Sequence, residues 1–147
     1  MACRISAWSW CCATSMPRNS TAKLGDGRLQ VRPRAGGTGG KLPRPFIAAA
    51  QLSLAPPVTA VVWLRSAEAG TAGFAWREMG QPDFPPKQVV TFDCPASTTC
   101  QEHSVELPAQ REVIHVRVLL PATGADIERI EFRDVDGKPL KTWRFSD

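Results

Sequence analysis

The sequence predicts an all-β protein: an antiparallel β-sandwich of jelly-roll or immunoglobulin-like type, preceded by a disordered N-terminal tail. Short segments that alternate apolar and polar residues recur through residues 46–147, which is typical of half-buried strands. Thirteen prolines and eleven glycines interrupt the chain, and no stretch keeps a helical period. Because 43% of the 147 residues are hydrophobic, a module of about 100 residues can bury a core of its own.

Residues 1–45 form the predicted tail. Arg, Gly, Pro, Ser and Thr dominate from Pro17 to Pro45, and this composition cannot bury enough apolar surface to offset the entropy of ordering. These 45 residues contain eight Lys or Arg and one acid, a charge of +7, whereas the remainder has ten basic and thirteen acidic residues, a charge of −3. The basic character therefore belongs to the tail. A mis-assigned N-terminus is the alternative interpretation of these residues.

Residues 46–147 are predicted to be the sandwich module. A β-branched run flanked by Pro56-Pro57 predicts a central strand at residues 58–65, and the remaining segments alternate apolar and polar residues between Gly/Pro turns. Further strands are predicted at residues 46–54, 74–79, 88–93, 101–107 and 112–120.

The last segment, residues 125–147, has the pattern of a β-hairpin. Ile130 and Phe132 alternate with charged residues, an Asp-Gly pair predicts a turn, and the apolar spacing resumes through Trp143 and Phe145. Because an isolated hairpin is marginal in water, its apolar face needs a second sheet. We expect this hairpin to be the closing edge of the sandwich, with Trp143 and Phe145 in the core.

Two tryptophans are the candidate ligand-binding residues. A Trp on the outer face of a sandwich can stack on the apolar C–H face of a sugar ring, whereas an inward Trp fills the core. Trp63 lies on the face opposite Val62 and Leu64, and Trp76 shares a face with Phe74. Ligand contact and packing remain open for both.

Cys94 and Cys100 enclose a short loop between two predicted strands. If the module is secreted, a disulfide could close this loop; free thiols are the alternative. No metal site is predicted, because His103 alone adds no second ligand pair to these cysteines. The sequence suggests no cofactor.

The sequence argues against several classes of function. No run of about 18 apolar residues predicts a membrane span. The glycine-rich segment 34–41 lacks the spacing of a phosphate-binding loop. A basic tail can contact nucleic acid or an acidic glycan, but a linker or an upstream extension is the favoured interpretation, so no nucleic-acid partner is predicted. No nucleophile motif is present, so the chain is not expected to be an enzyme.

The order AVVWLRS, GFAWRE, DFPPKQVVTFD, HSVELP, VIHVRVLLP and IERIEFRDVDGKPLKTWRF resembles the β-sandwich domain C-terminal to the catalytic domain of secreted, planctomycete-type bacterial sulfatases. The resemblance covers residues 46–147. It implies a non-catalytic accessory module, secreted or periplasmic, that contacts a sulfated polysaccharide or a sulfatase catalytic domain.

The sulfatase motif itself, C/S-x-P-x-R, is absent. Around Cys94 the proline comes one place too early and no Arg follows at the fifth position, so no catalytic residue is carried over. The alternative is a fragment of an arylsulfatase-type sulfuric ester hydrolase that lacks its active site.

Overall fold

A computed structural model describes residues 20–33 and 45–145 of the chain. In these ranges the chain forms β-strands joined by turns and loops, and no helix is long and apolar enough to cross a bilayer. The strands are β1 (Ser20–Gly25), β2 (Arg28–Pro33), β3 (Phe46–Ala49), β4 (Val58–Arg65), β5 (Gly70–Glu78), β6 (Val89–Cys94), β7 (Gln101–Leu107), β8 (Val113–Leu119), β9 (Ala125–Arg133) and β10 (Pro139–Arg144).

The strands form two antiparallel sheets that pack as a sandwich, which confirms the predicted fold class. One sheet has six strands in the order β1-β2-β9-β4-β7, with β10 also paired to β9. The other has four strands in the order β3-β8-β5-β6. β4 and β7 span the residues that the sequence predicted for them. β3 ends at Ala49, before the predicted end at residue 54, and β5 begins at Gly70, before the predicted start at residue 74.

The core lies between the sheets and contains inward residues from both. Phe74 of the four-stranded sheet meets Phe132 of the six-stranded sheet edge to face, with ring centroids 6.5 Å apart. The Trp143 ring lies perpendicular to Phe132 at 5.7 Å. Trp143 and Phe145 are 2% and 4% exposed, so their predicted place in the core is confirmed.

The predicted C-terminal hairpin is present as β9 and β10, but its place in the sheet differs from the prediction. Asp134 accepts hydrogen bonds at Oδ1 from the backbone N–H groups of Asp136 and Lys138, both at 2.9 Å, and Gly137 adopts the positive φ of 81° that the turn requires. β9 pairs with β4 along one side and with β2 and β10 along the other. β9 is therefore an interior strand. Of the two strands of the hairpin, only β10 lies at an edge of the sheet.

The largest correction concerns the N-terminal tail, because residues 20–33 form the β1–β2 hairpin. Asp26 and Gly27 have φ values of 53° and 73°, the two positive values that a tight hairpin turn needs. β2 then pairs with β9 and buries Leu29 and Val31 at 1% and 0% exposure. The low overall hydrophobicity hid this short alternating segment. The rest of the predicted tail lies outside the described residues.

Replacing Leu29 with Ala tests whether the β1–β2 hairpin belongs to the core. We expect Leu29→Ala to lower the free energy of unfolding by about 2–5 kcal/mol, because it removes a buried side chain and leaves a cavity. The matched control is Leu24→Ala on β1, where the side chain is 41% exposed and the expected loss is below about 0.5 kcal/mol. Equal urea midpoints for both variants would contradict the place of this hairpin in the core.

Candidate functional site

The outer face of the six-stranded sheet carries a half-buried aromatic residue among charged side chains. Val62 and Leu64 are buried at 0% and 1% exposure, so strand alternation points Trp63 outward. The antiparallel register pairs Trp63 with Arg129 on β9 and with Glu102 on β7. The structure therefore places Trp63 on the face that the sequence predicted, half-buried among polar neighbours.

Two guanidinium groups from β9 lie against the Trp63 indole. The Cζ of Arg129 is 4.5 Å from the ring centroid, and the Cζ of Arg133 is 5.7 Å away. Contacts of this kind are worth about 0.5–1 kcal/mol each at exposed sites. They fix the orientation of the indole, so the ring does not lose rotamer freedom when a ligand arrives.

Glu131 lies between the two arginines and holds them in place. It is 1% exposed and accepts hydrogen bonds from Arg129 Nη2 and Arg133 Nε, and a third from Thr142 Oγ1 at 3.2 Å. Burial disfavours the carboxylate, but the hydrogen bonds from Arg133 and Arg129 outweigh this and keep the pKa of Glu131 below its usual value. We call these five residues (Trp63, Arg129, Glu131, Arg133 and Thr142) the Trp63 cluster.

The arginines of the Trp63 cluster are partly exposed, with the side chains of Arg129 and Arg133 at 29% and 28%. The Arg129 Nε, which has no hydrogen-bond partner among the described residues, is buried, so only the exposed guanidinium nitrogens can meet a ligand. Because Arg129 and Arg133 lie over the indole, a ligand with both C–H faces and oxygen acceptors would contact the exposed part of the ring together with the guanidinium N–H groups. The sequence showed Arg129, Glu131 and Arg133 as outward residues of one strand. Their meeting with Trp63 depends on the pairing of β4 with β9, which no local pattern reveals.

Trp76 does not lie on this outer surface. Its side chain is 1% exposed, it faces inward with Phe74, and its Nε1–H donates to the Glu78 carboxylate at 3.0 Å. The ring is therefore part of the core and is not accessible to a ligand. The prediction that Trp76 contacts a ligand is corrected accordingly: of its two open alternatives, packing is the one observed.

Cys94 and Cys100 are free thiols, so the structure does not contain the disulfide considered from the sequence. The loop between them crosses from the four-stranded to the six-stranded sheet. Cys94 points into the core, while the Cys100 Sγ lies 3.9 Å from the carbonyl oxygen of Asp126. Burial raises the pKa of both thiols. Within residues 20–33 and 45–145, no group of three or more His, Cys, Asp or Glu side chains could hold a metal ion.

Comparisons with known proteins identify the fold but no family. No family model matches the chain, and no curated protein matches it. The solved structure of the CBM1 module of BiXyn10A in its apo form is 12% identical, covers 78% of this chain and 77% of its own, and has a TM-score of 0.50. CBM29_1, a family 29 carbohydrate-binding module from Piromyces equi, is 10% identical, with coverages of 74% and 70% and a TM-score of 0.51. At these identities, the likeness extends to the sandwich fold alone.

The buried charge of Glu131 predicts a particular dependence of stability on pH. Because its folded pKa lies below the unfolded value of about 4.3, its stabilising contribution is complete above that value and is lost as the pH falls through the folded pKa. Glu131→Gln should cost about 2 kcal/mol at pH 7, since it leaves two arginines without their carboxylate. Between about pH 6 and pH 3, the variant should lose less stability than the wild type.

Urea unfolding at several pH values measures this difference. Asp126 keeps its own arginine partners in both proteins, so its contribution to the pH dependence cancels in the comparison. Identical pH slopes for the wild type and Glu131→Gln would contradict the role given to the Glu131 carboxylate.

Proposed function

We propose that this chain is a non-catalytic module that binds a glycan on the outer face of its six-stranded sheet, with Trp63 as the stacking platform. The observation that supports this most directly is the position of the indole: outward, half-buried, and oriented by Arg129 and Arg133 at 4.5 and 5.7 Å. A tryptophan that merely stabilised the fold would gain most by facing the core, as Trp76 does at 1% exposure.

The chemistry of the Trp63 cluster suits a sugar. One face of a pyranose ring presents C–H groups, which pack on an aromatic surface, while its hydroxyl oxygens accept hydrogen bonds at the rim. Arginine supplies several N–H donors in a fixed plane, and Thr142 adds a hydroxyl next to them. Because Glu131 already fixes these arginines, binding costs little side-chain entropy. The likeness of the fold to carbohydrate-binding modules is consistent with this proposal.

The same proposal includes the kind of enzyme that the module accompanies. The resemblance to the accessory domain of secreted sulfatases suggests that the module serves a sulfatase or another polysaccharide-degrading enzyme. Binding of a polymer by the accessory module would raise the local concentration of substrate near the active site of that enzyme. The module could instead be a piece of an arylsulfatase-type hydrolase, in which case the glycan surface would belong to the larger protein.

Affinity gel electrophoresis tests glycan binding with polysaccharides embedded in the gel. We expect retardation of the wild type by at least one member of a panel of dextran sulfate, carrageenan, alginate, xylan and dextran. Trp63→Ala should weaken that binding about thirtyfold, as the loss of a central aromatic anchor does. Trp63→Phe should retain most of it, because a ring remains.

The control is Met79→Ala, which removes a 52% exposed apolar side chain at the end of β5 in the other sheet. Its mobility should equal that of the wild type. An unretarded wild type on every polysaccharide would refute the proposed function, and equal retardation of Trp63→Ala and wild type would refute the place of Trp63 in it.

A further inference from the structure

A second arrangement of two arginines around one carboxylate lies on the same outer face. Asp126 accepts hydrogen bonds from Arg32 Nη2 at 2.8 Å and from Arg65 Nε at 3.0 Å. Its side chain is 10% exposed, whereas those of Arg32 and Arg65 are 50% and 28% exposed. Burial disfavours the carboxylate, but the hydrogen bonds from Arg32 and Arg65 hold the pKa of Asp126 below its usual value. We call these three residues the Asp126 cluster.

The Asp126 cluster borders a cavity of about 430 Å³. Hydroxyl-bearing side chains surround it, and Arg65 is fixed at its wall because its Nη1 also donates to the Thr98 carbonyl at 2.8 Å. The polar residues that line the cavity beside the cluster are Ser66, Glu68, Ser97, Thr98 and Thr123.

This cavity offers donors rather than acceptors. Both Asp126 oxygens already accept from an arginine. Arg65 Nε and Nη1 are used, but its Nη2 bonds no acceptor among the residues that the structure describes. The remaining acid at the cavity is Glu68, whose side chain is exposed. Fixed, partly exposed guanidinium donors beside hydroxyl groups are suited to the oxygens of an anionic group.

The strand register places this cavity in line with the Trp63 cluster. Along β4, Arg65 pairs with Asp126, Trp63 with Arg129, and Val61 with Glu131. Arg65 and Val61 are four residues apart, so the two carboxylates are separated by roughly 13 Å along the strands. Trp63 lies between them on the same face. One extended ligand can therefore contact both clusters, whereas a single sugar ring cannot.

We propose that the Asp126 cavity is a second subsite that receives a sulfate or carboxylate group of the glycan whose ring stacks on Trp63, which makes the ligand an anionic polysaccharide. This inference rests on the proposed function. Arg65 makes the main contact with the anion, and the negative charge of Glu68 opposes anion binding. A glycan chain then runs along β4 and β9. Its stacked ring lies near the centre of the sheet, and its anionic group lies near Thr98, in the loop between β6 and β7.

Dextran, carboxymethyl-dextran and dextran sulfate test this subsite, because they share one backbone and differ in the charged group. We expect the wild type to bind both charged polymers more tightly than dextran, and the stronger of the two identifies the preferred anion. Arg65→Gln should weaken binding of that polymer about tenfold, the value of one hydrogen bond to a charged group. Glu68→Gln should strengthen binding about twofold, since it removes a repelling charge at an exposed position.

Lys87→Gln is the matched control, because it removes one exposed positive charge from the loop between β5 and β6. Its effect should stay below about twofold. Equal losses for Lys87→Gln and Arg65→Gln, or no gain for Glu68→Gln, would overturn the subsite. If Trp63→Ala still weakens binding in that case, the proposed function stands without the subsite. Because Glu68 is exposed, its variant gives a result even where Arg65→Gln lowers stability.

Discussion

The β-bulge at Glu128 is the constraint on which the core and the outer face both depend. β4 pairs Leu64 with Ile127 and the adjacent Trp63 with Arg129, so Glu128 is an extra residue on β9. Its carbonyl accepts the N–H of Phe145 at 3.1 Å. Strict alternation would point one of Ile127 and Ile130 outward, but both are 0% exposed. The extra residue lets β9 keep these side chains inward and still present Arg129 to Trp63.

The same strand carries two carboxylates on its outer side, Asp126 before the bulge and Glu131 after it. Each is nearly inaccessible and each is held by a pair of arginines. A buried carboxylate without such partners would be strongly destabilising, so the arginines are needed for the fold as well as for the proposed contact with a glycan. This double role explains how a sheet surface can hold guanidinium groups in fixed positions without a deep pocket: their internal partners do the positioning.

The boundaries of β4 and β7 followed from local patterns, whereas the assembly of the surface did not. The β-branched run of β4 and the alternation of β7 depend on neighbours in sequence, so both were predicted to the residue. The Asp26-Gly27 turn carried an equally local hairpin signal, but the surrounding polar composition outweighed it. Trp63 and Trp76 both alternate with other residues on strands, and only the sandwich geometry distinguishes the outward ring from the buried one. The meeting of β4, β9 and β2 involves residues almost 100 positions apart, as between Arg32 and Asp126, and no single-sequence pattern encodes that distance.

Glycan binding at Trp63 can be followed by an NMR titration of the isotopically labelled protein with a short dextran sulfate oligosaccharide, because each tryptophan indole N–H gives its own signal. We expect the signals of the Trp63 indole and of the backbone amides of β4 and β9 to shift on binding, while the indole signals of Trp76 and Trp143, which are buried in the core, do not shift. Shifts confined to the four-stranded sheet, with the Trp63 signal unchanged, would contradict a glycan site on the outer face of the six-stranded sheet.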